Sequence, residues 1–246
     1  MPIIYLSPST QEYNNYVNGG TEELYMNLLA DKMVPYLLAS GIRYSRNTPD
    51  MTAAQSIAAS NAGNYDLHLA LHSNASPEGS EGAARGIIVF YYPGSEAGQR
   101  AATIIANNLK AIYPLPDQVV AQPTTAIGEV RRVRAPSAFL ELGYHDNPQD
   151  AEWIRNNLDA VAKNLVMSLA DYFDIPFLSP QCARSGRVDV DWGVLNIRSQ
   201  PSLEGRILAQ APDGAPLTVL GKTGEWFLVR YNDIQGYAKE DYVTLV

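Results

Sequence analysis

Through the first 173 residues, short apolar runs rich in β-branched and aromatic side chains alternate with longer stretches whose apolar residues recur every three or four positions. These are the periods of buried strands and of amphipathic helices. Strands are expected at Ile3 to Leu6, Ile42 to Ser45, Asp66 to Leu71, Gly86 to Tyr92 and Ser137 to Leu142, with a further one near Gln118 to Val120. Between them, Thr21 to Ser40 carries Tyr25, Leu29 and Met33 on one helical face, and a second helix carries Ala101, Ile104, Ile105, Leu109 and Ile112. A third keeps Ala151, Ile154, Leu158, Val161, Leu165, Leu169 and Phe173 in register, with Asn147-Pro148 supplying a cap and an N1 proline. Alternation of this kind predicts an α/β domain: three layers, α/β/α, around a mostly parallel or mixed sheet.

The pattern changes after Ile175-Pro176. The stretch to Arg187 holds two prolines, glycine and serine without periodicity, and short strands follow at Val194 to Arg198, Ala215 to Gly221, Trp226 to Tyr231 and Ile234 to Lys239. Gly214, Lys222-Thr223-Gly224 and Asn232-Asp233 punctuate them as turns. The expected organisation is an α/β domain over 1–175, a linker over 176–186 and a small all-β barrel over 187–246.

Composition narrows the chemistry. A net charge of −8 with no run of Lys or Arg longer than two argues against a nucleic-acid partner. The one cysteine, Cys182, excludes an internal disulfide and a Cys-built metal site, so a metal would take His, Asp, Glu or a neutral oxygen. No stretch has the roughly 20 apolar residues of a membrane span. Met1-Pro2 runs straight into Ile3-Ile4-Tyr5-Leu6 with no basic leader or cleavage site, so nothing in the sequence as given directs export.

Three residues stand out against this background. His72, in Leu71-His72-Ser73-Asn74-Ala75, ends an apolar strand, where open α/β sheets place ligands. A histidine there can equally be a core residue satisfied by a hydrogen bond. Glu23 opens the first helix, where a carboxylate also suits the helix dipole. Glu141 interrupts the apolar strand Ala138-Phe139-Leu140-Glu141-Leu142-Gly143-Tyr144, and a buried unpaired charge is too costly to be casual.

In this order the blocks resemble the type 3 catalytic domain of zinc-dependent N-acetylmuramoyl-L-alanine amidases, over residues 2–173. The resemblance implies Zn2+ bound by a first-strand histidine, by the helix-opening Glu23 and by His72 of the His-x-Asn segment, with Glu141 catalytic. It further implies that Asn74 and Arg131 contact substrate and that peptidoglycan is cut between N-acetylmuramic acid and L-alanine. One element departs from the family: Ser7-Pro8-Ser9-Thr10-Gln11-Glu12 stands where a histidine-bearing segment is expected, and no histidine precedes His68. Gln11, through its amide oxygen, and His145, in Tyr144-His145-Asp146-Asn147, are the two candidates for the vacant ligand position. His68 lies four residues before His72, about 13 Å along a strand, and reads as a core histidine or one that supports the site from behind.

The C-terminal region resembles bacterial SH3-type modules through Leu195-Asn196-Ile197-Arg198-Ser199, Gly224-Glu225-Trp226 and Gly236-Tyr237-Ala238. Such modules imply wall-peptide binding, although Trp226 and Tyr237 equally suit a barrel core. Two alternatives follow from the same residues: a degenerate amidase that binds walls without cutting them, and a zinc carboxypeptidase acting on wall peptides. A wall-acting enzyme without a leader is either secreted in another form or released by a phage.

Overall fold

The computed structural model describes residues 1–246 throughout. In chain order the α/β part runs β1 (Ile3–Pro8), α1 (Glu22–Ala39), β2 (Arg43–Arg46), α2 (Ala53–Ala62), β3 (Leu67–Asn74), β4 (Ile87–Tyr91), α3 (Glu96–Leu109), β5 (Val119–Pro123), α4 (Gly128–Arg131), β6 (Ser137–Tyr144) and α5 (Pro148–Tyr172). Its six strands lie in the order β2-β1-β3-β6-β4-β5. β1, β3 and β6 run parallel, β4 is antiparallel to β6, and β5 is parallel to β4, so the sheet is mixed. β3 and β6 are central and covered on both faces, which is why they read as near-continuous apolar runs rather than alternating ones.

Register sorts the side chains of the central strands. Tyr5 and Ser7 of β1, His68, Ala70 and His72 of β3, and Ser137, Phe139 and Glu141 of β6 are neighbours across the sheet and share one face. On that face Ala70 and Phe139 bury with Val130 of α4 and with Phe90 and Ile127. Leu69, Leu71, Ala138, Leu140 and Leu142 point the other way and are buried, with α3 and α5 packed on β6.

The pairing of β3 with β6 slips between His72 and Asn74: His72 faces Glu141, whereas Asn74 faces Tyr144. Gly143 takes up the extra residue at φ +72°. A Cβ there would meet the Asp150 carboxylate at 3.2 Å and Ile154 at 3.3 Å. Asp150 in turn accepts from the Tyr144 N–H, the Gly86 N–H and the Tyr113 hydroxyl, and pairs with Arg85. This buried carboxylate is fully satisfied, and it clamps the bulge just beyond Glu141.

The C-terminal strands are β7 (Arg184–Val188), β8 (Val194–Arg198), β9 (Ile207–Pro212), β10 (Pro216–Thr223), β11 (Trp226–Tyr231), β12 (Ile234–Lys239) and β13 (Val243–Leu245). They form one sheet in the order β13-β7-β10-β11-β12-β8-β9, antiparallel at every pairing. Val188, Leu195, Ile197, Leu217, Val219, Phe227 and Val229 make its apolar core. Contacts divide the chain into two compact units, one of Ile3–Val34 and Tyr44–Phe173, the other of Met1–Pro2, Pro35–Arg43 and Asp174–Val246. Within the second unit Ala39 buries with Leu178, Trp226, Leu228 and Tyr237, which groups the end of α1 with the C-terminal strands. No helix is long and apolar enough to cross a membrane.

Candidate active site

His72 stands at the centre of a buried polar cluster. Its position on β3 sets it beside Glu141, and its ring stacks on Phe139 with centroids 4.3 Å apart. A carboxylate lies on each side of the ring: Glu22 Oε1 is 2.7 Å from Nδ1, and Glu129 Oε2 is 3.4 Å from Nε2. The Gln11 amide also approaches Nδ1, at 3.2 Å, and Asn14 Nδ2 donates to Glu22 Oε2 at 2.5 Å.

At the helix opening the carboxylate that lies at His72 is Glu22, the neighbour of the expected Glu23. Glu22 is fully buried, and Glu23 is only partly buried on the next position of α1. Two adjacent residues on a helix point about 100° apart, so only one of them can face the sheet edge. Glu22 is also fixed by its backbone N–H, which donates to the Asn14 carbonyl.

The other expected residues separate in the same way. Gln11 lies at His72. His145 is buried but directed elsewhere: its Nδ1 is 3.0 Å from the Ser73 carbonyl and 3.1 Å from the Ser73 hydroxyl, and its ring stacks on Tyr16. Ser73 follows His72 on the strand and therefore faces away from it. Asn74 folds its side chain onto the Ala75 N–H. Arg131 and the next residue, Arg132, are both exposed, and of the two Arg132 lines a cavity of about 500 Å³ together with Gln11, His72, Glu129, Phe139 and Ile127. His68 is completely buried, with the Ser60 hydroxyl 2.9 Å from Nδ1 and Glu129 3.2 Å from Nε2.

Glu129 carried no signal in the pattern, because α4 is a four-residue helix with no apolar periodicity to mark it. A carboxylate between Gly128 and Val130, just ahead of a strand bearing Glu141, was the available clue.

Electrostatics follow from this packing. Burial opposes the charge on His72, but hydrogen bonds to Glu129 and Glu22 outweigh it and push the ring up to about 10. Burial likewise works against ionised Glu22 and Glu129, yet the bonds from the histidines outweigh it, and both carboxyls sit below the usual carboxylate range. Glu141 goes the other way. Burial, aided by the neighbouring Glu22 charge and opposed by His72, pushes it up to about 7. Its Oε2 is buried without a hydrogen-bond partner, as is the Tyr16 hydroxyl, whose acidity is suppressed chiefly by burial and further by Glu22 and Glu141. Glu141 Oε2 is thus a buried oxygen that the protein's own donors leave open, at a place registered beside His72.

A metal ion is the natural test of that place. No group of three His, Cys, Asp or Glu side chains is arranged to hold one. Two good donors, Glu22 and His72 Nδ1, do converge, and Gln11 stands third. A half turn of its carboxamide presents the oxygen in place of the nitrogen, so the donor set fits a zinc ion with one neutral ligand, weaker than imidazole.

A family model described as N-acetylmuramoyl-L-alanine amidase matches residues 9–171, and one described as bacterial SH3 domain matches residues 193–244. No curated protein matches the chain in sequence. Among solved structures the chain is similar to N-acetylmuramoyl-L-alanine amidase AmiC2 of Nostoc punctiforme, with 14% identity and a TM-score of 0.61, covering 70% of this chain and 97% of that one. The catalytic domain of the amidase CwlV from Bacillus (Paenibacillus) polymyxa var. colistinus gives 14% and 0.62, covering 72% and 100%. The amidase Ami1 from Mycobacterium smegmatis gives 17% and 0.60, covering 70% and 97%. At these identities the structural likeness speaks for the fold, and the family match speaks for membership: this chain belongs to the N-acetylmuramoyl-L-alanine amidase family and carries a bacterial SH3 domain after the amidase region.

Proposed function

We propose that this protein hydrolyses the amide between the lactyl group of N-acetylmuramic acid and L-alanine in peptidoglycan, with zinc as cofactor. The observation that carries the reading is Glu141: a carboxylate on the strand row of His72 with one oxygen buried and unpartnered, its pKa raised by burial. Glu22, His72 and Gln11 would hold the zinc ion, which when bound supplies Lewis acidity toward the scissile carbonyl and lowers the pKa of a water.

The chain's own groups account for the proton traffic. Ionised Glu141 takes a proton from the attacking water and, once protonated, returns it to the departing amine, which leaves poorly without it. Burial raises the Glu141 carboxyl above the usual carboxylate range, which favours its holding the proton between the two transfers. Arg132, at the cavity wall, is placed to meet a carboxylate or carbonyl of the stem peptide. The apolar ring of Phe139 behind His72 fixes the imidazole and keeps water from that side.

The SH3 region supports a tether to the wall, which raises the effective concentration of the polymer's bonds. Tyr237 is a core residue and Trp226 is largely buried, whereas Trp192 is 89% exposed; both tryptophans line a cavity of about 600 Å³ together with Val194, Asn196, Leu203 and Tyr242. Action on the wall from outside the cell follows from this reading.

The test combines elemental analysis with dye release from labelled peptidoglycan, for wild type and Glu141→Gln. One zinc per chain in both, with turnover roughly 10²–10⁴-fold lower in the variant, is expected. New L-alanine amino termini identify the bond; release of free amino acid from the peptide end indicates a carboxypeptidase instead. A wild type that holds walls but contains no zinc and releases nothing is a wall-binding pseudoenzyme and overturns the proposal.

A further inference from the structure

We propose that Glu129 is a positioning residue for His72, holding the imidazole by Nε2 so that Nδ1 is presented to Glu22 and Gln11. The inference rests on reading His72 as a metal ligand and adds which ring nitrogen binds and what orients it.

His72 has a carboxylate at each nitrogen, and only one side can be the metal side. The closer metal-donor groups gather on the Nδ1 side: Glu22 Oε1 at 2.7 Å, itself held by the Asn14 amide and the Ser73 N–H, and Gln11 at 3.2 Å. Gln11 is a neutral, exposed neighbour there, and the unpartnered oxygen of Glu141 belongs to the residue registered beside His72. On the Nε2 side Glu129 lines the cavity with His72, and both of its oxygens are already engaged. Glu129 Oε1 accepts from the Ser7 hydroxyl at 2.5 Å and lies 3.2 Å from His68 Nε2, while Oε2 faces His72. His68 is itself fixed by Ser60 and stacked on Tyr5, and the Ser137 hydroxyl donates to the Glu129 backbone carbonyl.

A carboxylate held from several directions cannot swing to become a ligand without leaving His68 and Ser7 unpaired in a buried site. It can accept one N–H from His72, and that bond leaves the Nδ1 lone pair for the ion. A carboxylate behind a ligating histidine raises the basicity of the ring and fixes its rotation. The buried chain Ser60, His68, Glu129, His72 thus has a purpose that a core histidine does not explain: apolar side chains would fill the same face without desolvating a charge.

The experiment uses the full-length protein and two readouts besides turnover. Zinc affinity, measured by competition with a chelator, is expected to fall roughly 10–100-fold in Glu129→Gln, the range typical of an outer partner of a metal-bound histidine. Nitrogen-labelled wild type loaded with cadmium is expected to show metal coupling at His72 Nδ1 and an exchange-protected proton on Nε2. Affinity unchanged within twofold in a folded Glu129→Gln, or coupling at Nε2, overturns the proposal. The coupling measurement needs no variant, so it decides the matter even where Glu129→Gln fails to fold. A wild type that binds neither zinc nor cadmium overturns the ligand reading itself, and is told apart because the wild type then fails, not only the variant.

Discussion

The two sheets of this chain handle burial in opposite ways. The C-terminal sheet encloses Val188, Leu195, Ile197, Leu217, Val219, Phe227 and Val229, an apolar core without an ionisable group, and turns Trp192 to solvent. The N-terminal sheet has an equally apolar face of Leu69, Leu71, Leu140 and Leu142, but its other face carries His68, His72 and Glu141, with Glu22 and Glu129 brought to it from two helices. Buried polar groups and exposed large aromatics are the informative departures from ordinary packing. The buried carboxylates and histidines all fall in the first unit, and the most exposed tryptophan, Trp192, in the second. The first unit spends folding energy on desolvating charges, which suits chemistry; the second leaves an aromatic surface open, which suits attachment.

The sharpest way to break this contrast is at the opening of α1. Glu22→Gln is expected to strip zinc from the protein, with an affinity loss greater than the roughly 10–100-fold of an outer-shell change, whereas Glu23→Gln is expected to leave zinc content and turnover unchanged. Elemental analysis after chelator dialysis checks both. The reverse result would show that the helix turns by one residue on binding metal, and would move the ligand back to Glu23.

That pair of residues also shows where sequence reasoning stops. The α/β alternation, the central strands and the long capped α5 were legible because two-sided burial and a regular helical stripe leave periods in the sequence. His72 and Glu141 were legible because polar residues interrupt those periods. The choice between Glu22 and Glu23, or Arg131 and Arg132, was not, since both neighbours satisfy a pattern and only the rotation of the element decides. α2 was missed because Ala53–Ala62 is made of small residues around a single Ile57, although Thr52 and Gln55 form a capping box that announced it. β7, β9 and β13 were missed because their alternation is broken by glycine, proline or shortness. Glu129 and His68 are joined only by tertiary contact, across 61 residues.

A smaller effect tests the second unit. Trp192→Ala is expected to weaken retention on isolated cell walls by about tenfold, more than 1 kcal/mol, as truncation of an aromatic anchor does. Its thermal stability should move by no more than about 0.5 kcal/mol, as for other exposed positions. Phe227→Ala, in the apolar core and away from the cavity at Trp192, is expected to invert the pattern, with a stability loss of about 3–5 kcal/mol. Co-sedimentation and thermal melts separate the two. Equal retention in wild type and Trp192→Ala would remove the cavity beside Trp192 from wall binding.

The smallest effect concerns a carboxylate at the site's margin. Asp146 accepts the Ser76 N–H through both oxygens at 3.1 Å and the Gly82 N–H at 2.8 Å, tying the loop after β3 to the turn after β6. Partial burial works to raise its pKa, but these bonds outweigh it and hold the carboxyl below its ordinary value. A folded value below the unfolded one means that Asp146 adds stability above the unfolded pKa, about 3.9, and loses it as pH falls through the folded value. Asp146→Asn is therefore expected to melt at a slightly lower temperature than wild type at neutral pH, with the gap closing in acid below about 3.9. Because the group is largely solvated, screening keeps the difference small. A gap that persists unchanged into strong acid would assign the loop's order to packing and not to the charge of Asp146.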